Sequence, residues 1–263
     1  LKEHIYLRRG SMSDYKVLFL DIDGTIIKPD DTIEETTVNA IRQVQEKGIE
    51  VFLATGRPLH EIRDLAKELN VHSLIGYNGA FAIYQGKDLF QEPMNMESVK
   101  QFIDIAKKNQ HELVLYTKDQ NLFTDLETDC VKEFIEKFHL HKNDSYSPSE
   151  NYEVLGMTLI NLEPKDVALY KQEDQIHLSQ VNLEGMFHCY DVIRDQVNKG
   201  IGVQYVLKHL GHKKENAIAF GDGMNDKEML LSVGEGFAMG KGHPHLYQYA
   251  KHKTTSVTHS GIY

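Results

Sequence analysis

The chain of 263 residues has two cysteines, Cys130 and Cys189, and they form no C-x-x-C pair. A disulfide scaffold and a zinc knuckle are therefore not expected, and both read as small core residues in a reduced setting. No block of Lys and Arg appears, and the formal net charge is −10. Phosphate backbones are held by clustered cations, so a nucleic-acid partner is excluded from the reading. No apolar run approaches the ~20 residues that cross a bilayer, and none resembles a signal peptide. The expectation is a soluble cytoplasmic protein, monomer or homodimer, with small ligands and no membrane partner. Residues 1–11 end in Arg8-Arg9-Gly10-Ser11 before Met12 and are expected to be expression-vector residue.

What is present is organised around Val17-Leu18-Phe19-Leu20-Asp21-Ile22-Asp23-Gly24-Thr25. Four apolar residues in a row suit a strand buried on both faces, the kind found inside a parallel sheet. Side chains on a strand repeat every two residues, so Asp21 and Asp23 leave its carboxyl end near one another, where open α/β sheets bind ligands. A capping-box pattern at Thr32-Ile33-Glu34-Glu35 predicts a helix with Val38, Ile41 and Val44 on one side, closed by Gly48. Ile49 to Ala54 is a second short strand, ending in Thr55-Gly56-Arg57-Pro58. Pro58 suits the first turn of a helix with Ile62, Leu65 and Leu69 on its buried stripe. This βαβ pattern predicts a parallel α/β sheet.

Near Phe81 the style changes to a hairpin, Phe81–Tyr84 against Leu89-Phe90. Shorter helices and strands then alternate: a helix around Val99 to Ala106, strands at 113–116 and 122–123, a helix around Val131 to Phe138, a strand at 157–160, a polar helix from about Lys165 to Gln175, and a strand pair near 186–193. Residues 84–190 are expected to form an inserted α+β module, with 12–83 and 191–263 as the α/β core domain. His139 to Tyr152 is polar and without periodicity, which predicts a segment that is either functional or disordered. The parallel pattern resumes with Lys199-Gly200 opening a helix, and Ala217–Phe220 is a strand ending in Gly221-Asp222-Gly223-Met224-Asn225-Asp226. The Gly-x-Gly here is not a dinucleotide fingerprint. Asp226 stands at the third glycine position and Asp222 sits between the other two, so a pyrophosphate would be repelled. Adjacent carboxylates at a strand end suit a hard cation such as Mg²⁺, which takes oxygen ligands.

Four motifs thus follow in order: Asp21-x-Asp23-Gly24-Thr25, Thr55-Gly56-Arg57, Lys199, and Gly221-Asp222-x-x-Asn225-Asp226. With a large insert between the second and third, the chain resembles the haloacid dehalogenase-like (HAD) superfamily, in its branch of Cof-type phosphatases with an α/β cap. The resemblance implies a Rossmann-like parallel-sheet core with helices on both faces and an inserted α+β cap domain. It implies a Mg²⁺-dependent phosphatase for small phosphorylated metabolites. Asp21 would be the nucleophile that forms an aspartyl-phosphate, and Asp23 the acid and base. Asp21, Asp222 and the backbone carbonyl of Asp23 would hold Mg²⁺, while Asn225 and Asp226 would hold second-shell waters and orient Lys199. Thr55, Gly56 and Lys199 would hold the phosphoryl oxygens.

Arg57 is a candidate for substrate binding or for a surface salt bridge, and Asn78, in Asn78-Gly79-Ala80, is expected near the cap mouth. Members of this branch usually continue into a last helix after a stretch like Thr254 to Gly261, whereas this chain stops at Tyr263. Two other functions use the same features: a phosphotransferase or phosphomutase that passes the aspartyl-phosphate on, and a noncatalytic phosphometabolite-binding regulator. Intact Asp21 and Asp23 argue against the regulator. The paired histidines His139/His141 and His243/His245 lack carboxylate or Cys companions and read as surface residues.

Overall fold

A computed structural model describes residues 14–171, 175–181 and 185–263. The chain opens with β1 (Val17–Leu20), buried at all four positions as its apolar run predicts. Helix α1 (Glu35–Glu46) follows. It starts later than the capping-box pattern predicts: Glu34 is the N-cap without a side-chain bond, and the Thr32 hydroxyl donates instead to Asp30 at 2.6 Å. A nearer acceptor in the preceding turn has captured the capping group. Gly48 ends the helix in the left-handed conformation (φ +75°) and leads into β2 (Glu50–Ala54).

After a 3₁₀ turn at Leu59–Glu61 come α2 (Arg63–Glu68) and β3 (Ser73–Gly76). The hairpin is β4 (Phe81–Tyr84) with β5 (Lys87–Gln91), antiparallel as its turn residues predict. Helix α3 (Met96–Asn109) is capped by Asn95, whose side chain accepts the Glu97 N–H at 2.8 Å. The insert continues with β6 (Glu112–Tyr116), β7 (Asn121–Phe123), α4 (Asp129–Lys137), β8 (Asn143–Ser145) and β9 (Gly156–Ile160). A 3₁₀ run at Pro164–Tyr170 precedes β10 (Ile176–Gln180) and β11 (Tyr190–Arg194). Last come α5 (Lys199–Leu210), β12 (Ala217–Gly221), α6 (Lys227–Leu231), β13 (Glu235–Ala238) and β14 (His252–Lys253).

The chain divides into two compact units. Among the described residues, the first comprises 14–54, 69–73 and 199–263. Within it β14, β13, β12, β1 and β2 are neighbours in that order, all parallel, with Val17 to Leu20 in register against both Ala217–Phe220 and Glu50–Leu53. Every β1 side chain is covered, as a parallel arrangement requires, and helix α1 packs on β2 while α6 packs on β12 and β13.

The second unit comprises residues 55–68 and 74–198. It contains a six-stranded sheet in the order β10-β11-β9-β6-β7-β8, antiparallel except for the parallel pair β7 and β8. Alternating side chains build two cores. Leu113, Leu115 and Leu159 pack with Val99, Phe102 and Ala106 of α3, while Val114, Phe123 and Ile160 pack with Val131 and Phe134 of α4.

Three expectations change here. The polar helix stops as a 3₁₀ run at Tyr170, and residues 172–174 of that prediction lie outside the described residues. The strand pair is Ile176–Gln180 with Tyr190–Arg194, because cross-strand pairing and not apolar content defines β10. His139 to Tyr152 is ordered by strand β8 and by the rings of Tyr146 and Tyr152, whose centroids lie 5.7 Å apart. The predicted vector residues 1–11 lie outside the described residues. Cys189 is buried and Cys130 half-buried, both on the α4 core and both free thiols. Burial pushes the Cys189 thiol up to about 12. No helix of the described residues is long and apolar enough to cross a membrane.

Candidate active site

In the first unit, the loop after β1 is a tight knot around one carbonyl. The Ile22 oxygen accepts the N–H groups of Thr25, Ile26 and Ile27 at 3.3, 2.9 and 2.9 Å. Gly24 sits at φ +79°, and a Cβ there would fall on the Asp222 carboxylate. Only glycine allows both the turn and the approach of that acid. Asp21 is buried and Asp23 exposed. The Thr25 hydroxyl, fully buried, finds no partner among the described residues.

The loop after β12 supplies the other acids. Asp226 is fully buried with both oxygens committed: Oδ2 accepts the N–H groups of Asp222 and Gly223 at 2.9 and 3.0 Å, and Oδ1 accepts Lys199 Nζ at 2.6 Å. Lys199, the first residue of α5, is also fully buried and donates to Asp21 Oδ1 at 2.6 Å. The loop after β13 closes over Asp222, whose carbonyl accepts the His243 N–H at 2.7 Å. Asn225 is exposed at the rim.

Lys199 therefore pairs with two of the three carboxylates whose oxygens lie within 4.8 Å of one another, Asp21 and Asp226 but not Asp222. Burial raises the Asp21 pKa well above the carboxylate range; Asp226 and Asp222 raise it further, and Lys199 only partly opposes them. For Asp222, burial and then the Asp226 charge push it up to about 7. Burial alone would lower the Lys199 pKa, but the Asp21 and Asp226 charges outweigh it and raise it. Like charges ~4 Å apart repel by about 1 kcal/mol even in water and by more when shielded from it. The all-oxygen donor set and its charge deficit fit a hard divalent cation. Because Asp226 is fully committed, Asp21 and Asp222 are the carboxylates with oxygens left for such an ion.

In the second unit, the other predicted residues meet after β2 and β3. Thr55 donates its N–H to the Ile75 carbonyl at 2.9 Å, and its hydroxyl accepts the Arg57 N–H at 3.0 Å. Tyr77 and Asn78 are both left-handed (φ 53° each), an uncommon pair for residues with side chains. They are held by N–H bonds from Asn78 to the Thr55 carbonyl, 3.1 Å, and from Tyr77 to the Arg57 carbonyl, 3.2 Å. The Asn78 amide lies against Gly56, 3.0 Å from where a Cβ would stand. Thr55 is buried; Gly56, Arg57 and Asn78 are half-buried.

A polar cluster next to these residues has no signal in the sequence. Glu61, in the 3₁₀ turn after Pro58, accepts from Asn121 Nδ2 at 2.6 Å, from the His141 N–H at 3.1 Å, and pairs with the His141 ring at 3.1 Å. His60, buried, lies 3.0 Å from Asn121 Oδ1, and Tyr77 donates its O–H to the Thr117 carbonyl at 2.8 Å. Burial would raise the Glu61 pKa, but the bonds from His60, His141 and Asn121 lower it to about 2. Among the described residues, His60 and His111 are the buried histidines. His111 is held by Tyr170 at 2.8 Å, a pairing no local pattern announces.

The first unit thus presents a parallel sheet with an acid-loaded carboxyl edge and a lysine at a helix start. The chain belongs to the haloacid dehalogenase-like hydrolase family, whose model matches residues 18–263. It is 28% identical over 253 residues to the putative phosphatase YkrA of Bacillus subtilis, covering 95% of each chain. It is 28% identical to the 5-amino-6-(5-phospho-D-ribitylamino)uracil phosphatase YitU of the same organism, covering 94% of each. A crystal structure of a hypothetical protein from Geobacillus kaustophilus superposes with a TM-score of 0.86 at 26% identity, over 94% of this chain and 96% of that one. The HAD subclass IIB sugar phosphatase BT4131 shares the fold, with a TM-score of 0.80 at 24% identity over 94% and 96% of the two chains. The phosphatase class read from the four motifs is thus the class to which the named relatives are assigned.

Proposed function

We propose that the protein is a Mg²⁺-dependent phosphatase that hydrolyses phosphate monoesters of small metabolites, such as sugar, nucleotide or cofactor phosphates, through an aspartyl-phosphate. The observation that carries this reading is the Asp21–Lys199–Asp226 ion cluster with Asp222 beside it at the carboxyl edge of the parallel sheet. Lys199 holds Asp21 Oδ1 and so fixes the orientation of the attacking carboxylate. Asp21 attacks phosphorus and the bond from phosphorus to the ester oxygen breaks, while Asp23 gives that oxygen its proton. Asp23 then takes a proton from the water that attacks the intermediate, and the bond from phosphorus to Asp21 breaks. Asp23 is the exposed acid of the pair, so it can exchange its proton with substrate and water.

The ion would be held by the Asp21 and Asp222 carboxylates and the Asp23 carbonyl, with Asn225 at the rim and Asp226 behind. When bound it supplies charge neutralisation and polarises the phosphoryl oxygens. Thr55, the Gly56 amide and Lys199 bind those oxygens, and Arg57 and Asn78 contribute to substrate binding. Residues 12–83 with 191–263 serve as the catalytic domain, and 84–190 as the cap that selects the substrate. The reading also places the protein in the cytoplasm, as a monomer or homodimer.

The test is steady-state phosphate release from a panel of phosphate esters. Chelation should abolish it, Mg²⁺ restore it and Ca²⁺ inhibit it, since Ca²⁺ prefers longer bonds and more ligands. Asp21→Asn should lower kcat by about a thousandfold or more with the unfolding transition still cooperative. Full activity in excess chelator sinks the metal role, and activity within tenfold of the parent for Asp21→Asn sinks the nucleophile.

A further inference from the structure

Within the second unit, the turns that carry Thr55–Arg57 and Tyr77–Asn78 are gripped by a hairpin some 40 residues or more further along the chain. Tyr77 donates its O–H to the Thr117 carbonyl at 2.8 Å. Thr117 opens the tight turn between β6 and β7, where its N–H and its hydroxyl both donate to the Gln120 carbonyl, at 3.0 and 2.9 Å. Asn121, the first residue of β7, is fully buried. Its amide donates to Glu61 Oε1 at 2.6 Å and to Asn143 Oδ1 at 3.1 Å, which leaves its own Oδ1 as the acceptor for His60 Nε2–H at 3.0 Å. One hairpin end therefore holds both the segment after β2 and the segment after β3.

The grip bears on a strained place. Tyr77 and Asn78 are both left-handed, and a bulky residue in that region persists only where its surroundings over-determine it. The N–H bonds from Tyr77 to the Arg57 carbonyl and from Asn78 to the Thr55 carbonyl tie the two turns to each other, so what fixes Tyr77 also fixes Thr55, Gly56 and Arg57. Glycine adopts that φ at no steric cost, so the backbone alone does not call for an aromatic residue at 77. What tyrosine adds is a buried ring packed on Phe81, with centroids 6.3 Å apart, and a hydroxyl that reaches Thr117.

We infer that Tyr77 is a positioning residue: anchored by its hydroxyl on the Thr117 carbonyl, it holds the Thr55–Arg57 turn and Asn78 in the geometry that receives the phosphoryl group. This rests on the phosphatase reading, which gives those residues the phosphoryl oxygens, and deepens it by naming what sets their geometry. Donors aimed in advance bind a charged group without reorganising when it arrives. Once the anchor is cut, the turn has to be ordered at each binding event, and that cost falls on every phosphate ester alike, whatever its leaving portion.

The test measures kcat and KM of the full chain and of Tyr77→Phe on glucose 6-phosphate and 4-nitrophenyl phosphate, and the calorimetric Kd of inorganic phosphate with Mg²⁺ present. Phenylalanine keeps the ring against Phe81 and removes only the O–H. KM for both esters and the phosphate Kd should rise together by about tenfold while kcat stays within about threefold, the signature of lost uniform binding. In a Thr55→Ala background the same substitution should add less than about twofold, because the residue it acts through is already gone. Tyr170→Phe removes a comparable bond, to His111 in the α3 core, and should lower the unfolding midpoint with KM unchanged. Asn121→Ala, which frees His60 and Glu61 from the hairpin, gives a second reading and should raise KM and the phosphate Kd by about threefold. Unchanged phosphate affinity in Tyr77→Phe, the same fold-change with and without Thr55, or an equal rise in Tyr170→Phe overturns the inference. If the parent releases no phosphate even from 4-nitrophenyl phosphate, the phosphatase reading falls and this inference with it; with an active parent, the variants decide this inference alone.

Discussion

Two carboxylate clusters in this molecule are both buried, yet they sit at opposite ends of the acidity range. Around Asp21 the pKa values rise, with Asp222 pushed up to about 7; at Glu61 the value falls to about 2. Burial pushes all of them upward, most strongly at Asp21, so the fall at Glu61 comes from the groups around it. Glu61 collects donors from Asn121, the His141 backbone, the His141 ring and His60, with no second acid in the cluster. Asp21 and Asp226 share one lysine, and Asp222 has no cation of its own among the described residues. A satisfied carboxylate holds a structure together; a group of acids short of positive charge is a place for a ligand.

The sharpest way to break that comparison is to remove the shared cation. Lys199→Met leaves two buried carboxylates unpaired, which typically costs about 3–5 kcal/mol. It should also remove activity. Urea unfolding of Lys199→Met and of Lys199→Met/Asp226→Asn checks this: the double variant should recover part of the loss, and equal stabilities would show that the acids are not in conflict.

The second largest effect is expected at Gly24. Gly24→Ala puts a methyl group on the Asp222 carboxylate, so the half-saturating Mg²⁺ concentration should rise tenfold or more. Gly48 is the control, having nearly the same φ, +75°, and nothing within 4 Å of a Cβ. Gly48→Ala should cost about 1 kcal/mol of conformational strain and leave Mg²⁺ dependence alone. If the two variants behave alike, the crowding of Asp222 has no consequence.

Glu61→Gln probes the other cluster. An amide keeps one acceptor oxygen where the carboxylate has two, so one of the donors from Asn121 and His141 loses its acceptor and about 2 kcal/mol should be lost at pH 7. The sign of the pH dependence follows from the lowered pKa. The Glu61 contribution is complete above its ordinary value of 4.5 and is lost as pH falls through about 2. The stability gap between parent and variant should therefore be flat near neutrality and shrink between pH 4.5 and 2. A gap independent of pH would mean that the carboxylate charge is not what Asn121 and His141 recognise.

The sequence by itself determined the parallel core and most of the acid and lysine cluster proposed as the first unit's site. Asp21, Asp222, Lys199 and Asp226 stand at strand and helix ends, and such ends are written in local patterns: four apolar residues, then acid and glycine. Thr55, Gly56 and Asn78 were legible for the same reason, being turn residues that follow short strands. The change from the βαβ rhythm to shorter antiparallel strands was legible, though strands β8 and β10 were not, because they are edges held by pairing and carry little apolar content of their own.

Only the tertiary structure decided which acids are satisfied. Glu61 stands beside His60 in what reads as an ordinary solvated turn, and its other partners, Asn121 and His141, lie 60 and 80 residues further along the chain. Asp191 likewise reads as a polar residue in a strand until Thr158 and Tyr116 are set beside it, 33 and 75 positions away in the numbering. A carboxylate's acidity depends on the donors and charges within a few ångströms in space, and one-dimensional spacing fixes those only where the fold brings neighbours of the same segment together.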